Sequence, residues 1–151
     1  MRTLLLALAL TVLSGAVPAA AVERPPVAPA TLQLVGVTNA GASLEQSTFS
    51  LATLRDLRII AWWNVGGAHV QRLELRAPDG SLYQRLTRPF DTRTSVVQKR
   101  GAHQRGVPVE TRLPVGGTWI TEYSLVGSWR IDLYLDNSRT PVAGKSFQLT
   151  P

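Results

Sequence analysis

The chain of 151 residues contains no cysteine and a single methionine. Without cysteine there are no disulfides, no thiolate metal ligands and no cysteine nucleophile, and no lipid-modified cysteine follows the N-terminal segment. Small secreted animal domains commonly rely on disulfides, so their absence favours a bacterial source for an exported chain of this size. A domain of this length buries enough apolar surface to be stable without such cross-links.

Histidine is nearly as scarce, with only His69 and His103 in the chain. A zinc site or histidine-based catalysis needs a third ligand or a paired carboxylate, and no spacing in the sequence indicates one. Asp132 and Asp136 alternate with apolar residues and are expected at the surface. There is no Gly-x-Ser-x-Gly elbow and no phosphate-binding glycine loop before a helix. The sequence therefore predicts a protein that is not an enzyme and holds no metal or cofactor. A pocket that gathers one histidine with two carboxylates would mark the enzyme alternative.

Long apolar runs are also absent, except for residues 4–13 at the N-terminus. This run is too short to span a bilayer, which takes about 20 residues. It follows Arg2 and precedes three alanines at 19–21, a pattern that predicts a cleavable signal peptide over residues 1–21. Residues 22–30 contain three prolines and predict an extended spacer, with one domain over 31–151. We expect the protein to be exported, either periplasmic or secreted, with no transmembrane segment after cleavage.

The sequence after residue 30 lacks helical periodicity and alternates apolar with polar residues instead. Turn signals such as the Pro-Asp-Gly at 78–80 separate the alternating runs. Seven to nine short strands without βαβ spacing predict an antiparallel, immunoglobulin-like β-sandwich, with a closed small barrel as the alternative. The expected strands are 31–37, 48–52, 57–65, 69–77, 81–87, 107–115, 118–122, 128–135 and 141–149. Residues 88–106 are expected to form a long polar loop that is functional or mobile, or contains a strand at 94–98.

The last third of the chain resembles the closing hairpin of bacterial immunoglobulin-like β-sandwich modules. The residues that carry the resemblance are 127–136 (GSWRIDLYLD), 141–143 (PVA) and 147–149 (FQL). In such modules a glycine-x-tryptophan opens an alternating strand, an acidic turn follows, and a phenylalanine-centred strand ends the domain. The resemblance implies an immunoglobulin-like fold and a role in binding or assembly, and it carries over no functional residues. The tryptophan-over-disulfide core of antibody domains is excluded by the lack of cysteine.

Acidic residues are outnumbered, with nine against fourteen arginines and lysines in residues 31–151. The excess falls within residues 85–112, where only Asp91 and Glu110 oppose seven basic residues: Arg85, Arg88, Arg93, Lys99, Arg100, Arg105 and Arg112. Clustered arginines bind phosphates or carboxylates and attract anionic partners, although such a loop also serves solubility alone. The expected partner is an anionic envelope lipid or glycan, or a protein. Nucleic acid is not expected, because export removes the usual target and the loop offers only Phe90 as an aromatic side chain for base stacking.

Tryptophan supplies the remaining candidates. Trp62 and Trp63 are adjacent in a predicted strand, so their rings point to opposite faces of the sheet. One belongs to the core, and the other is a candidate binding platform unless both are covered. Trp119 with Tyr123 forms a second candidate patch. The sequence thus predicts an exported, non-catalytic binding module that contacts an anionic envelope partner through the basic loop. The alternative is an assembly subunit that pairs through a sheet edge or an aromatic patch.

Overall fold

A computed structural model describes residues 27–95, 97–100 and 104–151, apart from the side chains of residues 99, 100, 104 and 105. The predicted signal peptide and the first half of the predicted spacer lie outside the described residues, as does His103. The first strand begins at Ala30, next to the predicted domain boundary. The signal peptide and export stay predictions.

The described chain contains seven strands of eight or more residues, three strands of three residues and one helical turn. The elements are β1 (Ala30–Thr38), β2 (Ser43–Glu45), β3 (Thr48–Ser50), β4 (Leu54–Trp63), β5 (Ala68–Arg76), β6 (Leu82–Asp91), β7 (Gln98–Arg100), β8 (Gln104–Pro114), α1 (Trp119–Glu122), β9 (Gly127–Leu135) and β10 (Ala143–Thr150).

The strands form two sheets. Sheet 1 has the order β2-β1-β4-β8-β7 and sheet 2 has the order β3-β10-β9-β5-β6. Every neighbouring pair is antiparallel except β3 with β10, which is parallel. When the seven long strands are lettered A, B, C, C′, E, F and G, sheet 1 contains A-B-E and sheet 2 contains C′-C-F-G. Immunoglobulin-type sandwiches also place B and E in one sheet and C, F and G in the other. The predicted all-β sandwich is confirmed.

The core lies between the sheets and is built from every second residue of the long strands. On β9, Trp129, Ile131 and Leu133 are fully buried, as their alternation predicted. Trp129 stacks on Phe147 of β10, with ring centroids 6.1 Å apart. Each fully buried aliphatic side chain of this kind contributes roughly 1.5–3 kcal/mol to folding. The outward residues of these strands therefore stand on a rigid platform.

Residues 118–122 are not the predicted strand but form the helical turn α1. The chain turns at Gly117, which has a positive φ of 70°. The Thr118 hydroxyl then accepts a hydrogen bond from the backbone N–H of Ile120, which caps the helix. Only Ile120 enters the core, and Trp119 points to solvent. A four-residue helix is too short to show helical periodicity, so the sequence pattern does not predict it.

The predicted long loop at 88–106 is also wrong, because most of it is strand. Strand β6 continues to Asp91, which pairs with Ala68 of β5, and β8 already begins at Gln104. The short strand β7 begins at Gln98, where the predicted strand at 94–98 would end. Strand β6 lies at the edge of sheet 2 and is largely solvated, so it lacks apolar alternation.

Candidate functional site

The seven basic residues of the predicted loop do not share one segment. They are distributed over three strands and a turn: Arg85 and Arg88 on β6, Arg93 in the turn that follows, Lys99 and Arg100 on β7, and Arg105 and Arg112 on β8. The side chains of residues 99, 100 and 105 are among those that the structure does not describe. The predicted basic surface is therefore split between the two sheets.

Four of these arginines bind groups of their own domain, and one of them, Arg85, pairs with Glu74. Arg93 forms a bidentate pair with Asp91, with distances of 2.8 and 3.0 Å, and its hydrogen bonds lower the pKa of Asp91 to about 2. Arg112 lies 2.7 Å from the buried carboxylate of Asp56. Burial raises the pKa of Asp56, but arginine hydrogen bonds outweigh it and hold the pKa below its usual value. Arg88 donates to a backbone carbonyl of β8.

A larger arginine cluster lies on the outer face of sheet 2, where β5 and β9 are neighbours. The register places Glu74 opposite Arg85 on one side and Asp132 on the other. In the adjacent rows, Arg72 is opposite Tyr134 and Arg76 is opposite Arg130. We call this surface the arginine face, and it consists of Arg72, Glu74, Arg76, Arg85, Arg130, Asp132 and Tyr134.

Two carboxylates form the centre of the arginine face. Glu74 lies 2.9 Å from Arg85 and 3.5 Å from Arg76, and Asp132 lies 2.8 Å from Arg130 and 3.6 Å from Arg76. Both carboxylate side chains are 8% exposed, whereas Arg85 and Arg130 are 55% and 56% exposed. The arginines therefore cover the carboxylates and present their own guanidinium groups to solvent.

The N–H donors of the arginine face outnumber the acceptor positions of its own carboxylates. Each guanidinium carries five N–H donors, and a carboxylate offers about four lone-pair positions. Four arginines face only two carboxylates, which leaves a formal charge of +2. Arg72 lies over the Tyr134 ring at 4.4 Å from its centroid, and also donates to the carbonyl of Ser138. The Nε atom of Arg72 is buried without a hydrogen-bond partner among the described residues, whereas the side chains of Arg76, Arg85 and Arg130 are 38%, 55% and 56% exposed. The positive charge of these three side chains therefore faces solvent and attracts anions.

The sequence predicted which residues of the arginine face point outwards, but not that they lie together. Alternation correctly placed Arg72, Glu74 and Arg76 outside on β5, and Arg130 outside on β9. It gave no sign that these two strands, far apart in the chain, are neighbours. The prediction that Asp132 is exposed is wrong, because arginines from two strands cover its carboxylate.

The two adjacent tryptophans are both covered. Trp63 is 1% exposed, stacks on Phe90 at 5.0 Å, and donates its indole N–H to the buried Gln71 at 2.9 Å. Trp62, on the opposite face of sheet 1, is 7% exposed and donates to Gln33 at 2.9 Å. Neither ring offers an open platform, in agreement with the alternative that both are covered.

The other predicted aromatic pair is open to solvent. Trp119 and Tyr123 are 67% and 60% exposed, and their ring centroids are 5.3 Å apart. Both lie on or directly after α1, and Val126, three residues further along the chain, is also exposed. We call these three residues the aromatic patch. It lies at the end of the sandwich opposite to Ala30, because β8 leads into it past the beginning of β4.

An open pocket of about 540 Å³ gathers one histidine with two carboxylates, the arrangement that would mark an enzyme. His69, Asp91 and Asp136 line it, together with Phe90. His69 Nδ1 donates to Asp136 at 2.9 Å, and Nε2 donates to the backbone carbonyl of Gly66 at 3.0 Å. Both ring nitrogens are thus occupied, and the hydrogen bonds with Asp136 and Gly66 raise the pKa of His69.

The carboxylates of this pocket are also engaged. Asp136 accepts the backbone N–H of Val70 at 2.9 Å with its second oxygen, which together with His69 lowers its pKa. Asp91 is held by Arg93. The hydrogen bonds and ion pairs of these groups therefore fix the turns at this end of the sandwich. Among the described residues no three ligating side chains converge on a metal position, and no described helix is long and apolar enough to cross a membrane.

Comparison with known proteins assigns no family to the chain. No protein-family model matches it, and no curated protein matches it in sequence. The fold and the surfaces described above are therefore the basis for a functional proposal.

Proposed function

We propose that the protein is an exported, non-catalytic binding module that contacts an anionic partner of the cell envelope, a lipid or a glycan, through the arginine face. The observation that carries the proposal is the charge of +2 on this face, where four arginines cover two buried carboxylates. Guanidinium groups bind phosphates and carboxylates in a bidentate manner, which supplies both affinity and orientation.

The position of the arginine face in the fold supports this role. It lies on the outer surface of sheet 2, across β6, β5 and β9, and the packed core fixes these strands. A sheet holds its side chains at fixed spacings, so little conformational entropy is lost when a partner binds. A second candidate contact area, which we call the β6–β8 connection, consists of the basic residues from the end of β6 to the start of β8: Arg93, Lys99, Arg100 and Arg105.

The proposal is tested by sedimentation of the purified protein with vesicles of phosphatidylglycerol or phosphatidylcholine, and by retention on immobilised polygalacturonate. Arg85→Gln with Arg130→Gln removes two charges from the arginine face. Arg93→Gln with Arg105→Gln removes two charges from the connection and is the matched control. We expect the face variant to bind an anionic surface about tenfold more weakly than the control variant, because two exposed charge contacts are lost.

Salt provides an independent measurement. Exposed charge contacts are screened when the Debye length falls from about 10 Å at 0.1 M salt to about 3 Å at 1 M, so wild-type binding is expected to disappear at high salt. A loss confined to the Arg93→Gln and Arg105→Gln variant would move the contact to the connection, and equal loss in the two variants would show that the arginine face is not the specific contact. Absence of binding to both anionic surfaces, or binding that high salt leaves unchanged, would contradict the proposal.

The aromatic patch favours a second candidate function, that of an assembly subunit. An exposed Trp–Tyr pair is typical of protein contacts, where aromatic residues supply much of the binding energy. This function predicts an oligomer or complex that persists at high salt and is lost in Trp119→Ser. Gel filtration and crosslinking of the wild type and this variant separate it from the first proposal.

A further inference from the structure

We infer that the arginine face contains a defined oxyanion site between Arg76 and Arg130, and that the group bound there is a phosphate monoester. This inference rests on the proposed function and deepens it, because it names the group that the anionic partner presents. It is carried by three features of β5, β9 and β10.

The first feature is a pair of like charges. Arg76 and Arg130 are directly opposite each other in the β5–β9 register. Like charges in this position destabilise a sheet unless an anion lies between them. Asp132 is the carboxylate that both arginines approach. It lies 2.8 Å from Arg130 but 3.6 Å from Arg76, and Glu74 is no closer than 3.5 Å to Arg76.

These distances leave Arg76 without a short charge-assisted hydrogen bond. Such bonds measure about 2.7–2.9 Å, so contacts of 3.5 and 3.6 Å use little of the donor capacity of Arg76. Its hydrogen bond to the carbonyl of Gly80 is also long, at 3.4 Å. Arg76 is therefore able to donate strongly to an additional acceptor without giving up a strong bond of its own.

The second feature is the open surface beside Arg130. The next residue in this row is Ser146 of β10, which is exposed and directly opposite Arg130. In the neighbouring row β10 contributes Gly144, where a Cβ atom would lie only 3.0 Å from Arg130 Nη2. Since neither residue places a large side chain over Arg130, a ligand reaches its guanidinium from solvent.

The third feature is the charge. A phosphate monoester carries about −1.5 to −2 at neutral pH and has three strong acceptor oxygens. The arginine face carries +2 in four arginines and two carboxylates. A phosphate monoester thus neutralises the face and its oxygens suit two guanidinium forks, whereas a carboxylate neutralises only half of the charge.

The inference is tested by calorimetric titration of the purified protein with inorganic phosphate and with glucose 6-phosphate, against glucose 6-sulfate. Both phosphates are expected to bind at pH 7.5 and to bind more weakly at pH 5, where each carries one negative charge; the second pKa of a monoester such as glucose 6-phosphate is about 6. Glucose 6-sulfate keeps a single negative charge and is expected to bind more weakly. Vesicles that contain phosphatidic acid show whether the site also accepts the group on a lipid, and glucose 6-phosphate represents a glycan.

The decisive variant is Ser146→Glu, which places a carboxylate opposite Arg130, where it competes with the ligand for the Arg130 guanidinium. We expect it to lower the affinity for phosphate about tenfold without lowering Tm, because it adds a favourable cross-strand pair. The control is Arg139→Gln, which removes one exposed charge from the turn after β9 and should keep phosphate affinity. Unchanged affinity in Ser146→Glu, or equal loss in Arg139→Gln, would overturn the inference.

The outcomes for the two proposals are distinguishable. A protein that binds polygalacturonate or phosphatidylglycerol through the arginine face, but binds neither soluble phosphate, refutes the phosphate site and leaves the proposed function intact. A protein that binds none of these probes refutes both.

Discussion

Single polar residues hold the turns at the end of the sandwich near Ala30. His69 connects the turn at Gly66 with Asp136, and Asp136 also binds the backbone N–H of Val70. Asp136 adopts a positive φ of 50°, a conformation that costs most residues energy but that aspartate tolerates. The contact between His69 and two acceptors requires protons on both ring nitrogens. This end of the molecule is thus most stable when His69 is charged.

The stability of the protein should therefore depend on pH through His69. Its pKa is raised in the folded protein by Asp136 and Gly66, with a further contribution from the charge of Asp91. A raised pKa gives stability that is complete below the unfolded value of about 6.5 and is lost as pH rises through the folded value. We expect the free energy of unfolding of the wild type to exceed that of His69→Gln at pH 6, and the difference to shrink by pH 9. Urea denaturation at the two pH values measures this.

The contribution of Asp136 to the stability of the same turns is lost at low pH. Its pKa is lowered by the Val70 N–H and by His69, so its contribution is present above its unfolded pKa and is lost as pH falls through the folded value. The His69→Gln variant is the reference for the wild type, because its neutral glutamine side chain does not titrate. A difference between wild type and variant that stays constant from pH 6 to 9 would show that the imidazolium contacts do not form.

At the scale of the elements, the outer strands of both sheets are poor partners for another chain. Three of the four edge strands of the described sheets, β2, β3 and β7, have only three residues. The fourth, β6, has ten residues but contains a register shift opposite Leu75, two arginines and Pro89. Charges, proline and irregular register are the features that protect sheet edges from pairing. They weigh against assembly through the edge of β6. The three-residue strands cover only part of β1, β10 and β8, so these features do not protect the rest of those strands.

The orientation of Pro89 explains its protective effect. The backbone N–H of Thr92 donates to Gly67 O, so the even-numbered residues at this end of β6 direct their backbone groups towards β5. The odd-numbered residues then direct theirs outwards, and the N–H that proline lacks is missing from the free edge. An incoming strand would find only the carbonyl group at this position.

Removal of these features should create association. Pro89→Thr combined with Arg85→Thr restores the missing donor and removes an edge charge. We expect this variant to form concentration-dependent dimers or larger species in sedimentation velocity, while Thr87→Val, a β-branched change on the same strand, stays like the wild type. A variant that sediments as the wild type does at high concentration would show that β6 is protected in another way.

Alternation predicted most long strands, since each has one buried and one solvated face. It predicted β9 almost to the residue, because Trp129, Ile131 and Leu133 enter the core while Arg130 does not. Alternation did not predict β2, whose three residues are all exposed. It also ended the predicted strand at residue 87, although β6 continues to Asp91. Elements that bury few side chains leave no periodic signal, so the edges of the sandwich could not be derived.

At the scale of the whole molecule, strand order and burial determine the positive charge of the arginine face. The net charge of the sequence segments does not. The sequence shows a basic excess in residues 85–112 and a balance elsewhere. Arg72, Arg76 and Arg130 belong to the balanced part, where Glu74 and Asp132 offset them. In the fold those carboxylates are buried, Arg72 is partly buried, and Arg76 and Arg130 are exposed, so the outer face is positive although the segments are nearly neutral. This separation of buried carboxylates from outward arginines depends on the strand order and is not visible in the sequence.

The central claim is that the arginine face is the binding surface, and amide chemical-shift mapping of the ¹⁵N-labelled protein tests it most directly. In a titration with a soluble anionic probe, glucose 6-phosphate or a polygalacturonate oligomer, we predict the largest shifts on the outward residues of β5, β9 and β10 around Arg76, Arg130 and Ser146. Shifts confined to the aromatic patch or to the β6–β8 connection, with the arginine face unchanged, would contradict the account.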